Sequence, residues 1–226
     1  MSAAAARKRR AMRILLVDDH PIVRKGLVQL INQERDLEVC GEAVDRCDAL
    51  AAVKQQQPTL VVVDLSLKSS DGLDLVKDIR EQAPGLPVLV LSMHDEGVYA
   101  ERVLRAGARG YIMKQEALEK VLQAIRRILA GDVYLSEKMQ ARLLRAVAAA
   151  RGEPGASPVE RLSDRELEVF QLAGQGFGTR EIAVRLGLSV KTVESHYARI
   201  KEKLNLHNST EILQSATLWV ASESGM

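Results

Sequence analysis

The sequence predicts an α/β domain built on a five-stranded, doubly wound parallel sheet, followed by a small all-α domain of four helices. Two observations lead to this prediction. Up to about residue 132 the chain alternates between short apolar runs and helical stripes, which is typical of βαβ units. A segment containing Gly and Pro, residues 152–158, then separates this part from shorter helical patterns with glycine turns between them.

Four apolar runs indicate strands of the sheet, because strands buried on both faces read as near-continuous hydrophobic stretches. They cover residues 14–17, 60–63, 88–91 and 110–113. Side chains at the carboxyl ends of such strands line the ligand crevice of an open α/β sheet. Polar residues end or follow these runs, so we expect a cluster that contains Asp18, Asp19, Asp64, Ser92 and Lys114.

The chemistry of this cluster points to phosphoryl groups. Carboxylates brought together repel one another unless a cation lies among them, and an all-oxygen ligand set suits Mg²⁺. An ammonium and a hydroxyl beside such a metal make a site that handles phosphoryl groups. The alternative is that each Asp only caps the helix after its strand. Capping, however, explains neither Ser92 nor Lys114.

The cluster resembles that of the receiver domain of two-component response regulators, which has a flavodoxin-like fold, over about residues 12–132. The resemblance implies that Asp64 is the phospho-acceptor. It also implies a Mg²⁺ ion held by the carboxylates of Asp18, Asp19 and Asp64 and by the backbone carbonyl of Ser66.

The same resemblance assigns roles to three further residues. Lys114 would stabilise the charge on the phosphoryl oxygens, and Ser92 and Tyr111 fall on the switch positions of the family. Once Asp64 is phosphorylated, Ser92 is expected to bond to the phosphoryl group, and its loop would then make room for Tyr111 to become buried.

Composition and charge say less about the function than the motifs do. The net charge is +2, and the run Arg7-Lys8-Arg9-Arg10 alone exceeds it, so the bulk charge does not indicate a nucleic-acid partner. Residues 1–11 read as a disordered basic extension. The sequence has no apolar run of membrane-spanning length and no signal-peptide pattern, so we expect a cytoplasmic protein that does not contact membranes. Cys40 and Cys47 are expected to be reduced and buried.

The segment after the last predicted strand reads first as helix and then as linker. Residues 116–130 carry an apolar stripe that ends at Gly131, and a second stripe covers residues 136–151. We assign residues 133–157 to a partly helical linker and residues 158–222 to the second domain.

The second domain has a helix-turn-helix pattern. A capping box at Ser163–Glu166 opens a helix, and a short helix follows over Thr179–Leu186. Gly187 supplies the turn, and Ser189 caps a third helix that runs to about Leu204. The outer face of the third helix carries four cations, and a merely solvated surface remains the alternative for Lys191, Arg199, Lys201 and Lys203.

Two stretches, Leu162-Ser-Asp-Arg-Glu-Leu-Glu-Val and Thr192-Val-Glu-Ser-His-Tyr-Ala-Arg-Ile-Lys-Glu-Lys-Leu, resemble the LuxR-type DNA-binding domain over about residues 161–218. A receiver joined to this module is the architecture of NarL/FixJ-type transcriptional regulators. The resemblance implies that base edges are contacted by Glu194, Ser195 and Ala198, with Arg199 close by. It implies phosphate contacts by Lys191, Thr192, His196 and Lys201.

The implied partners are double-stranded DNA, a sensor histidine kinase, RNA polymerase and, on activation, a second copy of the chain. The implied activity is transcriptional control, with no enzymatic reaction beyond the phosphoryl chemistry at Asp64.

Three alternatives stay open. An aspartyl-phosphate phosphatase usually needs a second Asp two residues after the nucleophile, where this chain has Ser66. A quorum-type ligand sensor needs an aromatic-rich pocket, whereas only 3% of the residues are aromatic. The third alternative is a receiver-like dimerisation platform that never takes phosphate.

Overall fold

The structure is a computed structural model that describes residues 11–67, 72–94, 96–116, 118–149 and 158–223. The chain divides into a first unit, up to Ala141, and a second unit, from Arg142. The predicted basic extension lies outside the described residues except for Ala11, and so does most of the Gly- and Pro-containing segment before residue 158.

The first unit is a five-stranded parallel sheet with helices between the strands, which confirms the predicted fold class. Its strand order is β2-β1-β3-β4-β5. The strands are β1 (Met12–Val17), β2 (Leu37–Ala43), β3 (Leu60–Asp64), β4 (Val88–Ser92) and β5 (Gly110–Met113). The helices are α1 (Pro21–Asn32), α2 (Arg46–Gln56), α3 (Gly72–Gln82), α4 (Glu96–Ala106), α5 (Leu118–Leu129) and α6 (Glu137–Ala149), the last of which continues into the second unit.

The four predicted apolar runs form β1, β3, β4 and β5, and all their residues are buried except Met113, which is half-buried. The position of β2 was not predicted from the sequence. This strand lies at the edge of the sheet and is partly exposed along its length, with Glu38 and Glu42 among its residues. An edge strand that faces solvent on one side lacks the continuous apolar run by which the others were recognised.

A short extension covers the free edge of β5. Tyr134 forms a parallel bridge with Gly110, its carbonyl accepts a hydrogen bond from Tyr111 N at 3.0 Å, and its N–H donates to Arg109 O at 2.9 Å. A Cβ atom at Gly110 would lie only 2.9 Å from Tyr134 O, so the close approach of the two backbones requires glycine. Leu135 is also buried. The segment that the sequence analysis assigned to the start of the linker thus packs on the first unit.

The first turn of α6 is anchored to α4. Ser136 Oγ accepts a hydrogen bond from Met139 N at 3.1 Å and so caps the helix. Glu96, at the start of α4, accepts hydrogen bonds from both Ser136 N, at 2.9 Å, and the Ser136 hydroxyl. Met139 is buried, so the beginning of α6 belongs to the first unit by packing as well as by hydrogen bonds.

The second unit contains a short 3₁₀ turn (Pro158–Arg161) and, among its described residues, the helices α7 (Asp164–Gly174), α8 (Thr179–Leu186), α9 (Val190–Leu204) and α10 (Ser209–Glu223). The predicted capping box at the start of α7 is present. Ser189 caps α9 by accepting from Thr192 N at 3.0 Å, and Gly187 adopts a left-handed φ of 64° in the turn. The predicted helix-turn-helix is therefore formed by α8 and α9.

Cys40 is only half-buried and Cys47 is exposed, so the prediction that both are buried was wrong. Cys40 lies on the partly exposed edge strand β2, and Cys47 lies on the first turn of α2. Within the ranges that the structure describes, no helix combines the length and apolar character needed to cross a membrane.

Candidate functional site

The structure brings the predicted acidic residues and the lysine together at the carboxyl edge of the sheet. Asp18 directly follows β1, Asp64 ends β3 and Lys114 directly follows β5. Lys114 Nζ lies 2.7 Å from Asp64 Oδ2 and 2.8 Å from Asp18 Oδ2. The neighbouring parallel strands carry these residues to one edge although up to 96 positions separate them in the chain.

Burial and ion pairing shift the pKa values of Asp64 and Lys114. Asp64 is only 2% exposed, and burial raises the pKa of its carboxyl group although the Lys114 ammonium opposes that shift. Burial also disfavours the charged form of Lys114, but Asp64 and Asp18 outweigh it and raise the pKa of Lys114 above its usual range. Lys114 therefore remains a cation that offsets part of the negative charge of the carboxylates.

The carboxylates could hold a metal ion. Ligand atoms of Asp18, Asp19, His20 and Asp64 all lie within 4.8 Å of one another. Carboxylate oxygens grouped this closely form a ligand set that suits a hard divalent cation. His20 was not singled out in the sequence, although it directly follows the acidic pair. Its Nδ1 lies 2.8 Å from Asp19 Oδ1 and 3.6 Å from Asp64 Oδ2.

Helix capping does not account for these carboxylates. The N-cap of α1 is His20, and Asp18 lies two residues earlier, where its Oδ1 accepts the His20 N–H at 2.7 Å. Asp64 Oδ1 accepts the Ser66 N–H at 3.1 Å, whereas α3 begins only at Gly72. Neither residue therefore caps the helix that follows its strand.

A glycine allows α3 to approach the end of β3. Gly72 N donates to Leu65 O at 3.1 Å, and a Cβ atom at Gly72 would lie 2.4 Å from Asp64 O. No side chain fits against the backbone at that distance. Gly72 is thus a residue of the site that sequence reasoning missed, because its role depends on a contact between two elements rather than on a motif.

Ser92 and Tyr111 meet at His94. Ser92 is fully buried, and its hydroxyl accepts a hydrogen bond from His94 N at 3.1 Å. The Tyr111 hydroxyl donates to His94 O at 2.8 Å, and Tyr111 is only 1% exposed. Tyr111 is therefore buried and bonded to the segment that follows β4, and an effect of phosphorylation on its position stays a prediction. His94 Nε2 also lies 3.0 Å from the hydroxyl of Ser66, which places the Ser66 side chain beside the β4–α4 loop.

In the second unit, the predicted base-edge residues share one exposed face of α9. Glu194, Ser195, Ala198 and Arg199 are exposed there, together with Lys191. Thr192, His196 and Lys201 are half-buried. The first of these is held by the N-cap, since its hydroxyl lies 2.8 Å from Ser189 Oγ. Burial lowers the pKa of His196, whose Nδ1 is buried with no hydrogen-bond partner among the described residues.

Lys203 does not belong to this exposed face, contrary to the sequence analysis. Its Nζ lies 2.6 Å from Oε2 of Glu166, a residue that is only 2% exposed. The same carboxylate accepts the Ser163 N–H at 2.7 Å. Although burial opposes it, Lys203 and Ser163 together lower the pKa of Glu166 below its ordinary value. Lys203 therefore ties α9 to α7.

The fold and the first site are those of a receiver domain, and a helix-turn-helix unit follows it. Sequence comparison agrees. The family described as "Response regulator receiver domain" matches residues 14–126, and the family described as "Bacterial regulatory proteins, luxR family" matches residues 160–216. The chain belongs to the two-component response regulators with a LuxR-type helix-turn-helix domain, a family of transcriptional regulators rather than enzymes.

Similar proteins span nearly the whole chain. The oxygen regulatory protein NreC of Staphylococcus carnosus (strain TM300) is 38% identical over 209 residues, which are 91% of this chain and 96% of that protein. A structure of RcsB from Salmonella enterica serovar Typhimurium, bound to the promoter rprA in the presence of the phosphomimetic BeF₃⁻, is 28% identical. It covers 92% of this chain and 99% of its own, with a TM-score of 0.59.

A shorter structure covers 64% of this chain and 100% of its own. It is a LuxR-family two-component response regulator from Aurantimonas sp. SI85-9A1, at 34% identity and a TM-score of 0.56. The family membership excludes two of the open alternatives, the phosphatase and the quorum-type ligand sensor. The receiver that never takes phosphate is an alternative that family membership alone does not test.

Proposed function

We propose that Asp64 accepts a phosphoryl group from a sensor histidine kinase, and that this modification controls transcription through binding of α9 to DNA. The observation that carries the proposal is the position of Asp64, which is buried at the end of β3 with its Oδ2 2.7 Å from Lys114 Nζ. A buried carboxylate beside a fixed cation and two further carboxylates is suited to in-line attack on phosphorus.

The donor set fits Mg²⁺. Asp18, Asp19 and Asp64 would hold the ion, together with the backbone carbonyl of Ser66, because their oxygens form the hard ligand set that this cation prefers. When bound, Mg²⁺ would neutralise the charge on the phosphoryl oxygens.

The protein's own residues have distinct parts in the proposed reaction. An Asp64 oxygen forms a bond to phosphorus as the bond from phosphorus to the donor breaks, and the product is an acyl phosphate. Lys114 stabilises the equatorial oxygens from its side of the site. Ser92, whose hydroxyl accepts from His94 N, would turn its own hydrogen toward the phosphoryl group. A movement of the Ser92 hydroxyl would be passed on to Tyr111 through His94, because the hydroxyls of Ser92 and Tyr111 both form hydrogen bonds with the backbone of His94.

Chemical phosphorylation tests the assignment of Asp64. Incubation of the full chain with acetyl phosphate and Mg²⁺ should add one acid-stable, base-labile phosphoryl group, as measured by intact-mass spectrometry. Asp64→Asn should add none, because an amide is a far weaker nucleophile. Asp78→Asn serves as the matched control, since Asp78 lies on α3 and pairs with Arg46. Labelling of Asp64→Asn at the parent level would refute the assignment.

The proposed DNA contacts rest on the exposed face of α9. Phosphate contacts supply affinity and register, whereas groups at the base edges supply sequence choice. Lys191, Thr192 and Lys201 are proposed to contact phosphates, and Glu194, Ser195, Ala198 and Arg199 to face the bases. His196 shares the proposed phosphate role, although the burial of its Nδ1 favours a structural part for it.

Salt dependence separates these two classes of contact. Lys201→Ala should weaken binding to specific and random DNA about equally and should lower the slope of log K against log [salt] by about one unit. Glu194→Ala and Ser195→Ala should mainly alter the preferred sequence. Equilibrium titrations at several salt concentrations measure both effects. A change of sequence preference in Lys201→Ala at an unchanged slope would reverse the assigned roles.

The proposal has three further parts. The protein forms homodimers on phosphorylation, contacts RNA polymerase and acts in the cytoplasm. The structure of RcsB bound to a promoter in the presence of the phosphomimetic BeF₃⁻ supports a link between phosphorylation and DNA binding for this chain. Two α9 helices held in a dimer would read half-sites about one helical turn apart.

Beryllofluoride tests the remaining alternative, a receiver that serves only as a platform. With beryllofluoride on Asp64, the dimer fraction in sedimentation and the operator affinity should both rise, the latter about five- to 150-fold if the coupling is of typical size. If both stay constant while Asp64 is occupied, the receiver is a constitutive scaffold.

A further inference from the structure

Arg24 connects the acidic loop to the edge of the sheet. It lies on α1, and its side chain is 15% exposed. Its Nη1 donates to the backbone carbonyl of Asp18 at 2.6 Å, and its Nε donates to Glu42 Oε2 on β2 at 2.8 Å. The guanidinium is thus bound at both ends, to a backbone group of the site and to a carboxylate outside it.

The hydrogen bond to Asp18 acts on the peptide unit between the two acidic residues. The Asp18 carbonyl and the Asp19 N–H belong to one rigid plane, so fixing the carbonyl fixes the direction in which Asp19 leaves the strand. The Asp18 N–H is also held, since it donates to Ala43 O at 3.2 Å. Together the two bonds determine how Asp18 and Asp19 present their carboxylates.

Glu42 fixes the orientation of the Arg24 guanidinium and offsets its charge. A lone arginine close to the acidic cluster would mainly compete with a metal ion through its charge. Here a carboxylate 2.8 Å from Nε neutralises much of that charge and holds the planar fork in one orientation. The Asp18 carbonyl therefore accepts a hydrogen bond from a well-aligned Arg24 N–H, and the positive charge of the guanidinium is largely offset by Glu42.

We infer that Arg24, held by Glu42, is a positioning residue that orients the Asp18–Asp19 peptide so that both carboxylates can ligate the metal ion. This inference rests on the metal binding in the proposed function. It predicts that loss of the guanidinium weakens metal binding although the net charge near the site becomes more negative. A purely electrostatic role predicts the opposite, and a purely structural link between α1 and β2 predicts lower stability with unchanged metal affinity.

Metal titration of the full chain distinguishes these roles. The probe is Mn²⁺, followed by electron paramagnetic resonance of the free ion, with Mg²⁺ as the competitor. Arg24→Ala should weaken binding of both ions about ten- to 100-fold, the usual cost of losing a group that orients a metal ligand. Glu42→Ala should weaken it in the same direction by less, because the guanidinium remains but is no longer held.

Two further variants serve as references. Arg46→Ala removes a similar ion pair between α2 and α3, with Asp78, and should leave metal affinity unchanged. Asp19→Ala removes a proposed ligand and should bind the metal weakly. Thermal unfolding of every variant shows whether the protein is folded at the temperature of the titration, and Glu42→Ala provides the test if Arg24→Ala does not fold.

The outcomes separate the inference from the proposed function. If Asp19→Ala and the parent bind Mn²⁺ equally, the proposed metal site itself is wrong. If Asp19→Ala loses affinity while Arg24→Ala and Glu42→Ala bind like the parent, the metal site stands and the inference is overturned. Tighter binding by Arg24→Ala also overturns it, because the arginine would then act only as a competing charge.

Discussion

Replacement of Lys203 by methionine is expected to destabilise the second unit by about 1–3 kcal/mol, because the buried Glu166 carboxylate loses its partly exposed cation and keeps only the Ser163 N–H. Lys203 Nζ lies 2.6 Å from Oε2 of Glu166, and Glu166 is only 2% exposed, so solvent cannot easily replace the lost cation. Trp219 packs on Phe170 with ring centroids 5.8 Å apart and is the only tryptophan in the chain. Its fluorescence during urea unfolding therefore reports on this unit.

The effect should depend on pH. The pKa of Glu166 is lowered in the folded state, so its contribution is present above the ordinary value of 4.5 and is lost as the pH falls through the folded value. In Lys203→Met the buried carboxylate protonates more readily, so the difference in stability from the parent should shrink as the solution is acidified. Lys201→Met, two residues earlier on α9, is the matched control, since Lys201 forms no ion pair among the described residues. Equal losses in both variants would contradict the assigned role.

Replacement of Lys114 by methionine is expected to lower the rate of Asp64 phosphorylation by acetyl phosphate by about 100- to 1000-fold, the usual cost of removing one donor that stabilises developing charge. The same change should raise the affinity for Mg²⁺, because it removes a cation that lies 2.7 Å from Asp64 and 2.8 Å from Asp18. Stopped reactions analysed by intact mass give the rate, and the Mn²⁺ competition titration gives the affinity.

These two effects have opposite signs, which separates a role for Lys114 in the reaction from simple damage to the fold. A variant that is only misfolded would lose both phosphorylation and metal binding. Lys120→Met provides the control, because Lys120 is exposed on α5 and pairs with Glu116 at 2.6 Å. A parent-like phosphorylation rate in Lys114→Met would show that the lysine is dispensable for phosphoryl transfer.

The parts of the molecule that could be predicted from sequence are those set by local patterns. Continuous apolar runs indicate buried strands, and a polar residue at the end of each run lies at the same edge of a parallel sheet. The capping box at Ser163 and the glycine turn at Gly187 likewise fix helix ends through bonds within a few residues. Asp64 and Lys114 could therefore be expected to meet without knowledge of the intervening chain.

The features that escaped prediction depend on contacts between distant elements. The ion pair of Lys203 depends on a carboxylate 37 positions earlier, and the helical stripe alone cannot distinguish such a paired lysine from an unpaired one. Arg24 binds a backbone carbonyl, which leaves no signature in the sequence. The Tyr111 hydroxyl donates to His94 O, a backbone contact between β5 and the residue two positions after β4 that no sequence pattern indicates.

The backbone bridge at Tyr134 bears on how the receiver can be isolated. A fragment that ended at residue 132 would lose Tyr134 and Leu135 and would leave the Tyr111 N–H and the Arg109 C=O at this edge without their partners. Open strand edges pair readily with other chains. Such a fragment would self-associate regardless of the state of Asp64, and its dimers would be mistaken for activated ones. Truncations meant to report on phosphorylation therefore need the chain through Ala141.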